Sequence, residues 1–274
     1  MRSEELEVKE LNVGNSFCAP VYFAETVTST MDVSKRLAAE GAAHGTVVVA
    51  DYQEAGRGRG LERTWEMESG LNLSFTLLLR YPRIEEIVPA LTLRTGLSVS
   101  LAIEEEFPLL EKKVKVKWPN DIMIGSKKVC GILCEADGGN VHVGIGINVL
   151  QREFPSHLCD KATSIALEAE SVGCGVRSVE LGVRSEELGV RGFLLEKILL
   201  RLHCELENKN NDWKTCLEKR LYKKGEYVTF IEGKADSKNI IKGLLTGISK
   251  DGELLILPED KTVSKTLITG ELKI

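Results

Sequence analysis

Apolar positions along the chain change period several times, and each change marks an element. Thr46–Ala50 (T-V-V-V-A) is a β-branched run with no polar interruption, the pattern of a buried strand. Gly70–Leu79 alternates strictly, with Leu71, Leu73, Phe75, Leu77 and Leu79 on one side, which predicts a half-buried strand. Val21–Ala24 reads as a short strand. Thr26–Thr30 is a polar turn whose Ser29 or Thr30 can cap a helix that starts near Met31 and ends at Gly41. Ile87–Phe107 repeats at the helical period through Leu91, Thr95, Val99 and Ala102. Lys113–Trp118 alternates Lys with Val, so lysines are expected outward and valines inward, and Pro119 ends that strand. Ile122–Ile124 and Lys128–Ala136 are strands joined by a Gly125-Ser126 turn, and Val141–Val149 is another. About seven strands and two helices, several linked by tight turns, predict an α+β fold built on a mixed or antiparallel β-sheet flanked by helices.

The second half differs. Phe193–Leu206 and Trp213–Tyr222 read as amphipathic helices. From Gly225 only short strands occur: Tyr227–Ile231, Ile240–Ile248, Glu253–Leu257, Lys261–Ser264 and Leu267–Lys273. They predict a small β-barrel that is marginal alone and docks on the first domain. The expected division is 1–222 and 223–274. Ala169–Gly192 holds a direct repeat, G-V-R-S-V-E-L, G-V-R-S-E-E-L, G-V-R-G. A Gly and a Val in every copy oppose a stable helix. The repeat is therefore expected as a surface insertion, the alternative being a helical lid or dimer contact through Leu181 and Leu188, and replacing Gly175–Gly192 with a short linker is expected to be tolerated.

A net charge of −5 gives no global basic field for nucleic acid. No run approaches 18 consecutive apolar residues, so no membrane span is expected. Met1–Glu10 lacks the apolar core of a secretory signal, and a cytoplasmic location is expected. The seven cysteines are scattered. Cys130 and Cys134 share a strand face, but no second Cys or His pair lies at ligand spacing, so reduced thiols are expected.

Two stretches carry candidate chemistry. Gln53–Trp65 interleaves Gly56, Gly58 and Gly60 with Arg57, Arg59 and Arg63 directly after a buried strand. Glycine lets backbone lie against a ligand, and arginine offers a planar fork to phosphate or carboxylate. The alternative is a solvated turn. Lys117-Trp118-Pro119-Asn120-Asp121 sets a cation, an indole, an amide and a carboxylate at one strand end. Asp121 can hold Mg²⁺ through phosphate oxygens, or the stretch is an ordinary polar turn. Lys128 opens the next apolar strand and points into a site or to solvent.

In order, G-R-G-R…W, K-W-P-N-D, K-K-V-C-G-I-L-C-E and G-I-G-I-N-V resemble the motifs of the biotin protein ligases. The resemblance covers Val21–Ser164 and, more weakly, the barrel through Gly247-Ile248, Asp251-Gly252 and Gly270-Glu271. It implies a class II synthetase-like biotin/lipoate ligase fold with an SH3-like barrel. It also implies a two-step reaction: biotin and MgATP give biotinyl-5′-AMP, which then acylates a lysine of a biotin carboxyl carrier protein. By the same resemblance, Ser29, Thr30 and Gln53 meet the ureido group, with Met31 and Gly131 in the biotin pocket. Arg57-Gly58-Arg59 folds over biotin and the adenylate phosphate, and Trp65 forms an apolar wall. Lys128 contacts carboxylate and phosphate, so the catalytic set is Lys128, Arg57 and Arg59. Lys117, Trp118, Asn120 and Asn148 serve the nucleotide, and Asp121 serves Mg²⁺. Some members carry an N-terminal winged helix. About 20 residues precede the first strand here, so no DNA partner is expected, while a homodimer stays open. The alternative activity is attachment of lipoate or octanoate. The chain departs from the pattern at Met31, where many members have Asn, by one extra residue between Arg59 and Trp65, and in the repeat.

Overall fold

The β-branched run after Gly45 forms β3 (Val47–Gln53), with Val47, Val48, Val49 and Ala50 all buried. This and all that follows refers to a computed structural model, which describes residues 8–60, 63–171, 188–207, 212–234 and 237–273. Upstream lie β1 (Lys9–Glu10), β2 (Val21–Val27) and α1 (Thr30–Ala39). Downstream come β4 (Asn72–Arg80), α2 (Leu91–Glu106), β5 (Val114–Lys117), β6 (Asp121–Ile124), β7 (Lys127–Asp137) and β8 (Asn140–Asn148). The eight strands form one mixed sheet in the order β1-β2-β3-β4-β8-β7-β6-β5. Only β2 and β3, joined through α1, run parallel; every other pair is antiparallel.

Alternation along β3 sorts the two layers. Val47 and Val49 join the core beneath α2 and α4 (Val190–Glu207), while Val48 and Ala50 pack with Val33 and Leu37 of α1. β4 therefore has helices on both faces, and eight of its nine residues are buried, where the sequence pattern had suggested one wet face. Its polar side, Asn72, Ser74 and Thr76, faces the interior. The lysine face of β5 departs in the same way: Lys117 is buried. Ile84–Glu106 is long and apolar enough to cross a membrane by composition, but over half of that stretch is buried inside the protein. Gly96 lets α2 approach the sheet, since a Cβ there would lie 3.2 Å from Val116.

α3 (Ile165–Ser171), which the periodicity did not signal, starts where Ser164 Oγ accepts from Leu167 N (3.2 Å). After α4 come α5 (Trp213–Glu218) and a second, antiparallel sheet of β9 (Tyr227–Glu232), β10 (Ile240–Ile248), β11 (Leu254–Pro258), β12 (Lys265–Leu267) and β13 (Gly270–Leu272). Its order, β12-β11-β10-β9-β13, is compatible with an SH3-like unit. The single strand expected at Leu267–Lys273 is broken at Ile268-Thr269 and resumes at Gly270, which has φ +140° and where a Cβ would stand 2.4 Å from the Phe230 ring. The two sheets share one continuous core.

The repeat corrects the sequence reading. Residues 172–187, most of it, lie outside the described residues. Its end is not all surface: Leu188, which closes the second copy, is 2% exposed, and Arg191 of the third is 5% exposed, within an α4 that begins three residues earlier than expected. Arg191 donates to Asp51 Oδ1 (2.6 Å) and to the Asn72 carbonyl (3.1 Å). Replacing Gly175–Gly192 with a linker would remove a buried ion pair and an apolar anchor, so the expected tolerance is withdrawn.

Candidate active site

A cleft of about 410 Å³ opens on the α1 side of the sheet. Its closed end is polar. Ser29, in extended conformation, caps α1 by accepting from Met31 N (3.2 Å). The N–H and Oγ1 of Thr30 both reach Gln53 Oε1, at 2.9 and 3.1 Å, and Thr30 Oγ1 shares a hydrogen bond with Thr76 Oγ1 (2.9 Å). With its oxygen used twice, Gln53 has only Met67 Sδ, 3.9 Å away, for its Nε2 donor. Thioether sulfur is a weak acceptor, so this corner keeps a strong donor for a ligand.

The floor is glycine. A Cβ on Gly146 would stand 2.5 Å from the Trp65 ring, one on Gly144 2.9 Å from the Met31 methyl, and one on Gly131 3.0 Å from Lys128 Nζ. Three side chains thus lie flat on bare backbone of β7 and β8. The Trp65 wall is held by the arginine loop, a hairpin closed by Gly58 N to Arg63 O (2.7 Å) and Trp65 N to Gly56 O (2.9 Å).

The other end is cationic. Lys128 is fixed through its backbone, with N donating to Lys161 O (2.8 Å) and O accepting from Thr163 N (2.9 Å). Its Nζ sits 2.6 Å from Asp121 Oδ1 and 5.8 Å from the Trp65 ring centre. Arg57 pairs with Asp32 of α1 (2.6 Å). Arg59 donates to the Gly270 carbonyl (3.0 Å) and Thr269 Oγ1 (3.4 Å), and Arg63 pairs with Glu271. Burial holds the Arg59 guanidinium below its ordinary value; Glu271 opposes this and Arg63 adds to it. The loop is therefore anchored to the second sheet. Asn120 also lines the cleft, donating through Nδ2 to Ile132 O (2.9 Å).

Three nominated residues do not line the cleft. Lys117 lies behind Asp121, its strand partner, where burial lowers its ammonium despite Asp121 and Glu271. Trp118 is committed to the second sheet: its Nε1 donates to Gly252 O (2.9 Å) and its ring lies 5.7 Å from Phe230. Asn148 is buried and donates to Thr163 O (2.9 Å), which steadies the segment holding Lys128. The second sheet thus takes both the ring and the N–H of Trp118, whereas the Asn148 Oδ1 is buried with no hydrogen-bond partner among the described residues. Cys130 and Cys134 do not contribute either; burial pushes the Cys134 thiol up to about 11, with a Thr92 hydrogen bond opposing, and raises Cys130 further.

Sequence reasoning missed Thr76, Gly144, Gly146, Glu66, His157 and Leu158, all of which line the cleft. The two glycines were visible in G-I-G-I-N. Nothing local marks His157 or Glu66, whose side chains meet across the mouth at 3.0 Å. Among the described residues no group of three or more His, Cys, Asp or Glu could hold a metal.

Residues 23–151 match the model of the biotin/lipoate A/B protein ligase family. Over 154 residues the chain is 39% identical to the bifunctional ligase/repressor BirA of Bacillus subtilis, covering 54% of this chain and 46% of that protein. The fold matches a solved biotin protein ligase of Aquifex aeolicus in complex with biotin and ATP, with 33% identity and a TM-score of 0.71, over 92% of this chain and 97% of that one. A Leishmania major biotin protein ligase in complex with biotinyl-5-AMP aligns over 91% of this chain and 98% of its own, with 29% identity and a TM-score of 0.61. The chain spans about half the length of the curated relatives it matches. It belongs to the biotin/lipoate A/B protein ligase family and, within it, to the biotin protein ligases.

Proposed function

We propose that this chain joins biotin to a lysine of a biotin carboxyl carrier protein, with ATP converted to AMP and pyrophosphate through biotinyl-5′-AMP. The observation that carries the reading is one cleft with a hydrogen-bonding closed end, an indole wall and a lysine–carboxylate pair at its cationic end. The bicyclic ring of biotin would enter the closed end, where Gln53 Nε2 meets the ureido oxygen and Met31 covers the ring. Trp65 would lie along the acyl chain. Lys128 would turn from Asp121 to the carboxylate and α-phosphate, stabilising charge that develops during transfer. Arg57, Gly58 and Arg59 would close over the adenylate, Gly131 would leave room beside Lys128, and Asn120 would face the nucleotide. Lys117 would act from behind as fixed positive charge.

Mg²⁺ would arrive on the triphosphate and neutralise it; Asp121, the carboxylate beside Lys128, suits an ion shared with phosphates and not a resident metal. We take 1–222 as the catalytic domain, 223–274 as the SH3-like domain, and the cytoplasm as the location. With a net charge of −5, DNA is not among the proposed partners. The test is pyrophosphate release with biotin, lipoate or octanoate, followed by the mass of a carrier domain. Release with biotin and a biotin-sized mass gain are expected. Release only with lipoate or octanoate would replace this reading with the sister activity.

A further inference from the structure

We propose that His157 is the base that takes the proton from the carrier lysine in the second half-reaction, with Glu66 orienting it. This rests on the ligase reading. A protein-borne lysine must enter the cleft from solvent, and His157 and Glu66 line the cleft with exposed side chains, next to Leu158. The nucleophile must be a neutral amine, so its nitrogen has to shed a proton as it bonds to carbon. Among the described lining residues Arg57 holds Asp32 and Arg63 holds Glu271, while Asp121 holds Lys128 until the adenylate draws that lysine away and lies at the reacting end, not beside His157. His157 is the only histidine of the lining, and imidazole is the side chain suited to proton transfer near neutral pH. Its Nε2 lies 3.0 Å from Glu66 Oε1. The tautomer that donates from Nε2 to that carboxylate leaves Nδ1 as a free acceptor.

His157 is also tied to the reacting end. It sits in a compact turn, with Leu158 N bonded to Pro155 O (2.8 Å) and Ala162 N to Leu158 O (2.8 Å). The carbonyl of Lys161 in that turn holds the backbone of Lys128. In the step itself the amine nitrogen attacks the acyl carbon of the mixed anhydride and the C–N bond forms. The acyl C–O bond to phosphate breaks and AMP leaves with the electron pair. The proton from nitrogen passes to Nδ1, and the imidazolium, stabilised by Glu66, returns it to water.

The experiment separates the half-reactions in the full chain. Biotin-dependent ATP–pyrophosphate exchange reports adenylation. Single-turnover acylation of a carrier domain by the enzyme loaded with biotinyl-5′-AMP reports transfer. For His157→Ala, transfer should fall about 100-fold more than adenylation, within the usual range for a lost general base. Added imidazole should restore part of the rate. Glu66→Gln, which still accepts from Nε2, should lose less than Glu66→Ala. His157 is exposed, so a melting curve should match the parent; His157→Gln provides a second variant. Transfer within threefold of the parent, or equal losses in both half-reactions, would overturn the assignment. If the parent makes no adenylate from biotin, the ligase reading fails instead.

Discussion

At the scale of single residues, the site depends on side chains lying where other side chains are missing. Gly146 is the sharpest case, because any Cβ enters the Trp65 ring. Overpacking of this kind typically costs about 1–3 kcal/mol, so Gly146→Ala should raise the KM for biotin about tenfold or more while the chain stays folded. Isothermal titration with biotin and a melting curve check both halves of that statement. Lys128 is the chemical counterpart. Its backbone is held independently of its ammonium, so Lys128→Ala should keep the fold and slow adenylation about 10²–10³-fold. Pyrophosphate release within tenfold of the parent would remove Lys128 from the mechanism. The motifs made both positions legible, but which atoms the glycines face was not, since that depends on Trp65 folding back onto β8.

At the scale of elements, α1 presents Ser29, Thr30 and Met31 to the cleft and is pinned to the sheet by Ser34, whose Oγ lies 2.8 Å from Nδ1 of the buried His142 on β8. Burial holds the His142 imidazole below its ordinary value of 6.5; Lys35 and Arg80 add to this, while Asp137 and Glu135 oppose it. The unfolded chain therefore binds this proton first as pH falls. Stability rises with pH wherever the unfolded state holds more protons, so the contribution is complete above about 6.5 and lost on acidification. The midpoint of denaturant unfolding should drop between pH 7 and 5, and His142→Gln should flatten that slope. An unchanged slope would show that other groups set it. The same packing explains β4: strict alternation reports two different faces, and the polar one lies inward where Thr76 meets Thr30.

At the scale of the molecule, the second sheet reaches the reacting loop through Arg59 and Arg63, and the end of the repeat reaches the core through Arg191. Arg59→Gly should release biotinyl-5′-AMP faster without an equal loss in forming it, because the guanidinium closes the loop and is not tied to Lys128. A chase with unlabelled ligand after labelled adenylate has formed measures both rates. Arg191→Ala should destabilise by about 3 kcal/mol, the low end for a broken buried pair because Asp51 keeps some contact with water. Denaturant unfolding gives that number, and a loss below about 0.5 kcal/mol, the usual size of a surface substitution, would place Arg191 outside the core.

The chain alone determined the succession of strands from β2 to β8, the glycine–arginine loop after a buried strand, the lysine near the start of β7 and the change to short strands after Gly225. Those features are local, because backbone period, turn chemistry and side-chain type act over a few residues. Tertiary structure decided the rest. It turned the polar side of β4 inward, spent Trp118 on the second sheet, took Leu188 and Arg191 at the end of the repeat into the core and brought Glu66 and His157 together across 91 positions. A period of two shows that a strand has two faces; only the elements that cover them decide whether each face meets water, core or substrate.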